Sequence, residues 1–149
     1  MKTFQQLKRL LKQADDGLPK IKVALLGDSA TQFLATALKG ESISRGIRMD
    51  IFEAEYNQIE RQVLDPGSDL HTFDPEFTVV FHSSHKLLEK HSLSSEEERL
   101  SLAEDRLNFV KALCEVQKGR IIYFNYPEIE DTVFGSYANK VESSFTFQA

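Results

Sequence analysis

The stretch Lys20-Ile21-Lys22-Val23-Ala24-Leu25-Leu26-Gly27-Asp28-Ser29 decides how the chain is read. From Val23 to Leu26 it is continuously apolar, the pattern of a strand buried on both faces of a parallel sheet. A strand with one wet face would alternate instead. Gly27-Asp28-Ser29 follows at once, and Ala30, Phe33, Leu34, Ala37 and Leu38 then recur at helical spacing. The stretch is therefore a strand, a tight turn and a helix, with Asp28 or Ser29 expected as N-cap and Gly40 as the stop.

Upstream, Phe4, Leu7, Leu11 and Ala14 share one face of a short helix expected over 3–14, and Asp15-Asp16-Gly17-Leu18-Pro19 ends it. Downstream, 47–54 reads as a second strand. A polar helix carrying Tyr56, Ile59 and Val63 is expected over 56–64, broken by Leu64-Asp65-Pro66-Gly67. Residues 68–73 read as a short turn or half-helix. Phe77-Thr78-Val79-Val80-Phe81 is a third strand, rich in β-branched and aromatic residues. His82-Ser83-Ser84-His85 then opens a loop or helix carrying Leu87 and Leu88. A long helix is expected over 95–117, starting at a capping box, Ser95 to Glu98. Its buried stripe is predicted to be Leu100, Ala103, Leu107, Val110 and Cys114, with Leu113 and Val116 beside it. Residues 120–124 form a fourth strand, and a further helix is expected to start near Lys140.

Strands alternating with helices imply an α/β fold of three layers, α/β/α, around a parallel sheet. Right-handed crossovers favour the flavodoxin-like order 2-1-3-4. Ligands in such sheets bind beyond the carboxyl ends of the strands, near the switch point. That rule selects Gly27-Asp28-Ser29, His82 to His85, Asn125-Tyr126 and, less strongly, Glu53 and Glu55.

The chain has 149 residues, of which 41% are apolar and 28% charged, within the range of a globular domain. Residues 1–149 are read as a single α/β domain. The net charge of −5 argues against a nucleic-acid partner. No apolar run is long enough to span a bilayer, and the charged N-terminus is not a secretory signal, so no membrane partner is expected. One cysteine, Cys114, excludes a disulfide framework and fits a reducing, cytoplasmic setting. His82 and His85 stand at i, i+3 with no third ligand marked nearby, so neither a metal nor another cofactor is expected.

Ser29 has three readings on position alone. It can be a nucleophile whose oxyanion is held by helix N-terminal N–H groups, a phosphate contact, or an ordinary N-cap. Gly27-Asp28-Ser29 between strand and helix resembles block I of the SGNH (GDSL-type) hydrolases. That resemblance implies a flavodoxin-like sheet and Ser29 as nucleophile, with Asp28 and His85 accessory. His85 stands about where that family has an oxyanion-hole asparagine. The Gly-x-Asn-Asp block is replaced by His82-Ser83-Ser84-His85, and no histidine follows His91 to serve as base.

A longer resemblance runs over about 20–140. Lys22 to Ser29, Arg45 to Gln58, Leu64-Asp65-Pro66 and Phe73-Asp74-Pro75-Glu76 look like the N-terminal region of FkbH-type proteins. In that family an SGNH-like domain precedes a haloacid-dehalogenase-type phosphatase-like domain, and a phosphoglycerate-derived glyceryl unit is moved onto acyl carrier protein in polyketide-type biosynthesis. The resemblance implies acyl carrier protein or a downstream phosphatase-like domain as partner. It also implies that this chain is an N-terminal fragment lacking a fifth strand. Two roles stay open: acyl or glyceryl transfer through Ser29, or a catalytically degenerate scaffold that docks one of those partners.

Overall fold

The structure is a computed structural model describing residues 2–12, 17–55, 57–127, 129 and 133–149. Helix α1 (Phe4–Lys12) precedes strand β1 (Lys20–Gly27). Helix α2 (Gln32–Ser44), β2 (Arg48–Glu53), the short helices α3 (Ile59–Leu64) and α4 (Asp69–Phe73) and β3 (Phe77–Phe81) follow. Then come α5 (Ser84–Leu93), α6 (Glu96–Leu100), α7 (Leu102–Val116), β4 (Arg120–Tyr123), a 3₁₀ turn at Gly135–Lys140 and α8 (Phe145–Gln148). The strands form one parallel sheet in the order β2-β1-β3-β4, the predicted order. Ala14, Asp15, Asp16 and Tyr56 lie outside the described residues.

β1 is central and buried over Val23–Gly27, as its unbroken apolar run requires. Ala24 and Leu26 point to one face, where they meet Ile59, Val63 and Leu70 from α3 and α4, Val80 from β3, and Phe109 and Leu113 from α7. Leu26, Val63, Val80 and Leu113 are fully buried there. Burial of one such side chain contributes about 1.5–3 kcal/mol. Val23 and Leu25 point to the opposite face, where α2 packs over β2 and α1 lies on α2.

Several expected boundaries move. Helix α2 starts later than expected, with Thr31 at its N-cap, and neither Asp28 nor Ser29 caps it. Gly40 lies inside α2. A Cβ there would come within 2.7 Å of the Leu7 Cβ and carbonyl oxygen, so this glycine permits the close crossing of α1 instead of ending the helix. The polar helix shortens to Ile59–Leu64. The expected long helix is divided at Ser101 into α6 and α7, although the capping box forms as predicted, with Ser95 Oγ accepting from Glu98 N and the Glu98 carboxylate accepting from Ser95 N. The buried face of α7 is turned by one residue from the expected stripe: Leu102, Phe109 and Leu113 are buried, while Ala103, Leu107 and Cys114 are exposed. Phe109 and Leu113 remove more apolar area from water than Ala103 and Cys114 would. The last helix starts at Phe145, with the Ser144 hydroxyl accepting from Phe147 N, and not near Lys140, where the backbone makes a 3₁₀ turn.

Candidate functional site at the carboxyl ends of the central strands

β1 ends at Gly27, where the ring of Phe81 from β3 lies so close that an added Cβ would sit 2.3 Å from it. The chain then turns through Asp28 and Ser29. One Asp28 carboxylate oxygen accepts from the backbone N–H of Ser83 at 2.9 Å. The other accepts from the Ser29 hydroxyl at 3.2 Å. Ser83 is the residue before α5, so Asp28 ties the turn after β1 to the turn after β3. Lys86, on the first turn of α5, donates to the Asp28 carbonyl oxygen and fastens the same junction. Thr31 donates to the Glu53 carboxylate at 2.5 Å, joining the start of α2 to the end of β2. A carboxylate already stands at that helix start, so the turn from Gly27 to Thr31 is poorly suited to an anion.

Beside this junction lies a cavity of about 670 Å³, within the range of small-molecule sites. Asp28, Asn57, Glu60, His82, Lys86 and Arg106 are in its wall, whereas Ser29 and His85 are not. His82 sits among aromatic rings, with centroids 5.7 Å from Phe109, 6.2 Å from Tyr123 and 6.4 Å from Tyr126. Burial, and secondarily the Arg106 charge, holds its imidazole below the usual histidine value, so it is neutral at neutral pH. Its Nδ1 is buried and makes no hydrogen bond among the described residues. The Tyr123 and Tyr126 hydroxyls lie 3.1 Å apart, and burial pushes the Tyr123 phenol well above its ordinary range. Arg106 pairs with Glu60 at 3.1 Å and lies over the Phe109 ring, while its Nε has no hydrogen-bond partner among the described residues.

Asp28 and His82 therefore meet at the cavity, as the switch-point rule expects. Ser29 is exposed beside it, and its hydroxyl is directed at Asp28. Among the described residues, no histidine hydrogen-bonds to Ser29. His85 is exposed on the first turn of α5, one residue before the side chain that reaches back to the turn. Glu53 is spent on Thr31. Sequence reasoning missed Lys86 and Arg106. Arg106 had a signal: it is a lone cation between Leu102 and Phe109 on the buried stripe of α7. The described residues hold no group of three or more His, Cys, Asp or Glu arranged to take a metal.

Residues 22–149 match the pattern of the FkbH N-terminal domain. The chain belongs to the FkbH N-terminal domain family. A solved structure with the same fold is the N-terminal part of the protein BF1531 from Bacteroides fragilis, described as containing a phosphatase domain and complexed with Mg. It is 61% identical, superposes with a TM-score of 0.93, and matches 99% of this chain. The present chain spans 39% of that chain's length. No curated protein matches it. No helix among the described residues is long and apolar enough to cross a membrane.

Proposed function

We propose that this FkbH N-terminal domain is a recognition domain in the transfer of an acyl or glyceryl unit to acyl carrier protein, and that a phosphatase-like domain following it in the same protein performs the phosphate chemistry. In this reading the cavity beside Asp28 receives the polar end of the transferred unit. Lys86 and Arg106 supply donors, and neutral His82 supplies an unpartnered ring nitrogen.

One observation carries this reading over a hydrolase. The Ser29 hydroxyl is hydrogen-bonded to Asp28 and, among the described residues, to no histidine, and it stands outside the cavity. A serine becomes a strong nucleophile when a positioned base takes its proton. Among the described residues, the Ser29 hydroxyl has no imidazole positioned to take its proton. Support for the phosphatase-like domain comes from the 61%-identical structure described as containing a phosphatase domain, and acyl carrier protein enters as what the FkbH-type resemblance implies.

A fluorophosphonate probe for activated serines tests the assignment. Wild type and Ser29→Ala are expected to label equally weakly. Strong labelling of wild type that disappears in Ser29→Ala would restore the second reading, in which the exposed hydroxyl at the strand-to-helix turn is an SGNH-like nucleophile assisted by Asp28 and His85.

A further inference from the structure

The wall of the cavity carries both signs of charge, and its cations are already engaged. Lys86 donates to the Asp28 carbonyl oxygen. Arg106 Nη2 donates to the Glu60 carboxylate at 3.1 Å. Lys90 is exposed and within electrostatic reach of Glu98. Helix α5, which lines the cavity with Lys86 from its first turn, has an N-terminus that would suit an anion. The Asp28 carboxylate already takes the Ser83 N–H there, at 2.9 Å. Each feature that could hold a phosphate is therefore matched with a group of the chain itself. Among the described residues, four carboxylates line the cavity, Asp28, Glu60, Glu89 and Glu98, against the three cations. A phosphate dianion would have to displace one of these carboxylates or sit against it.

Two nitrogens stand apart from this matching. His82 Nδ1 and Arg106 Nε are buried and have no hydrogen-bond partner among the described residues. Both side chains lie against the Phe109 ring, the imidazole centroid at 5.7 Å and the guanidinium carbon at 5.8 Å. A buried polar atom without a partner is costly, and a ligand group that satisfies it recovers that cost. Arg106 Nε only donates, whereas a ring nitrogen of neutral histidine accepts in one tautomer and donates in the other. In the tautomer that leaves Nδ1 as acceptor, a hydroxyl group satisfies both, accepting from Arg106 and donating to His82. A fully ionised phosphate has no proton to donate.

We infer that the cavity takes an uncharged, hydroxylated acyl unit, and that Glu60 sets this specificity by holding Arg106 and excluding the phosphorylated form. This rests on the proposed function, in which the cavity receives the transferred unit. Glu60 acts in two ways. It occupies Arg106 Nη2 and so removes one donor of the two-point grip that a guanidinium gives to phosphate. It also places its own charge where a phosphate would approach Arg106. Discrimination that depends on a repelling group falls when that group is neutralised, whereas discrimination by cavity shape does not.

The test titrates the 149-residue chain with methyl glycerate and with methyl 3-phosphoglycerate, which differ only in the phosphate. Binding is read by NMR from the His82 ring and the Arg106 Nε resonances, which report the place of binding as well as the affinity. The wild type is expected to bind methyl glycerate at least about tenfold more tightly than the phosphate ester. Glu60→Gln is expected to lower that ratio about fivefold or more. Glu104→Gln removes the same charge from an exposed position of α7 outside the cavity wall. It is expected to lower the ratio by less than about 1.5-fold, because solvent and salt screen it. A phosphate ester bound as tightly as methyl glycerate, or more tightly, overturns the inference and leaves the recognition role of the cavity standing. A ratio unchanged in Glu60→Gln, or lowered equally by Glu104→Gln, also overturns it, since shape or net charge would then set the preference. Methyl glycerate that perturbs neither His82 nor Arg106 overturns the inference together with the reading on which it rests.

Discussion

Asp28 receives hydrogen bonds from two sides: the Ser83 N–H reaches it from the turn after β3, and the Ser29 hydroxyl from its own turn. Hydrogen bonds to a charged group contribute about 1.5–3 kcal/mol, so Asp28→Ala is expected to destabilise the fold by about 1–3 kcal/mol in urea denaturation. Ser29→Ala, which leaves the Ser83 bond in place, should cost well under half of that. His82 sets a pH dependence. Its folded pKa is depressed, chiefly by burial, below the ordinary 6.5. As pH falls through that value, the unfolded chain takes up the proton at this position before the folded protein does, so stability present above it is lost toward the depressed folded value. The urea midpoint should therefore fall between pH 7.5 and 5.5, and His82→Phe should flatten that decline. An unchanged slope in the variant would show that His82 is not the group responsible.

At the scale of elements, the α1–α2 crossing depends on Gly40. Replacing a helical glycine by alanine commonly stabilises, by about 0.4–1 kcal/mol. Here the methyl group meets the Leu7 backbone and Cβ at 2.7 Å, so Gly40→Ala is expected to destabilise by about 1–3 kcal/mol and to detach α1, visible as faster hydrogen exchange over Phe4–Lys12. This glycine also shows what the sequence leaves undecided. A glycine ends a helix when a left-handed conformation is needed, or admits a neighbour when close approach is needed, and only the partner element separates the two uses. The β1 run was less ambiguous, because four consecutive apolar residues followed at once by Gly27-Asp28-Ser29 read as a strand covered on both sides, and the alternation of strands and helices with right-handed crossovers favoured the order. Asp28 was legible as a turn residue but not in its role, because its carboxylate bonds across to Ser83 and not to the first turn of α2. Lys86 carried no signal as a site residue, and the signal of Arg106 needs the buried face of α7 to be known. Each comes from a helix whose direction toward the cavity depends on packing, and the face of α7 is turned by one residue from the pattern of Leu100, Ala103 and Leu107.

Across the whole molecule, one sheet links two surfaces of different character. The carboxyl ends of β1 and β3 open onto the polar cavity, and the far side of β3 and β4 presents an apolar wall. In the proposed recognition role, the cavity is the place for the transferred unit. Lys86→Ala and Arg106→Ala should then raise KM for the donor several-fold while leaving the fold intact by circular dichroism. The most direct measurement is transfer of a glyceryl unit to acyl carrier protein by a protein that carries this domain together with a phosphatase-like domain, with Ser29→Ala in this domain. A recognition role predicts transfer within about threefold of wild type and no covalent adduct on Ser29 by intact mass. A loss of about a thousandfold or more, with a glyceryl ester on Ser29 in the wild type, would contradict it.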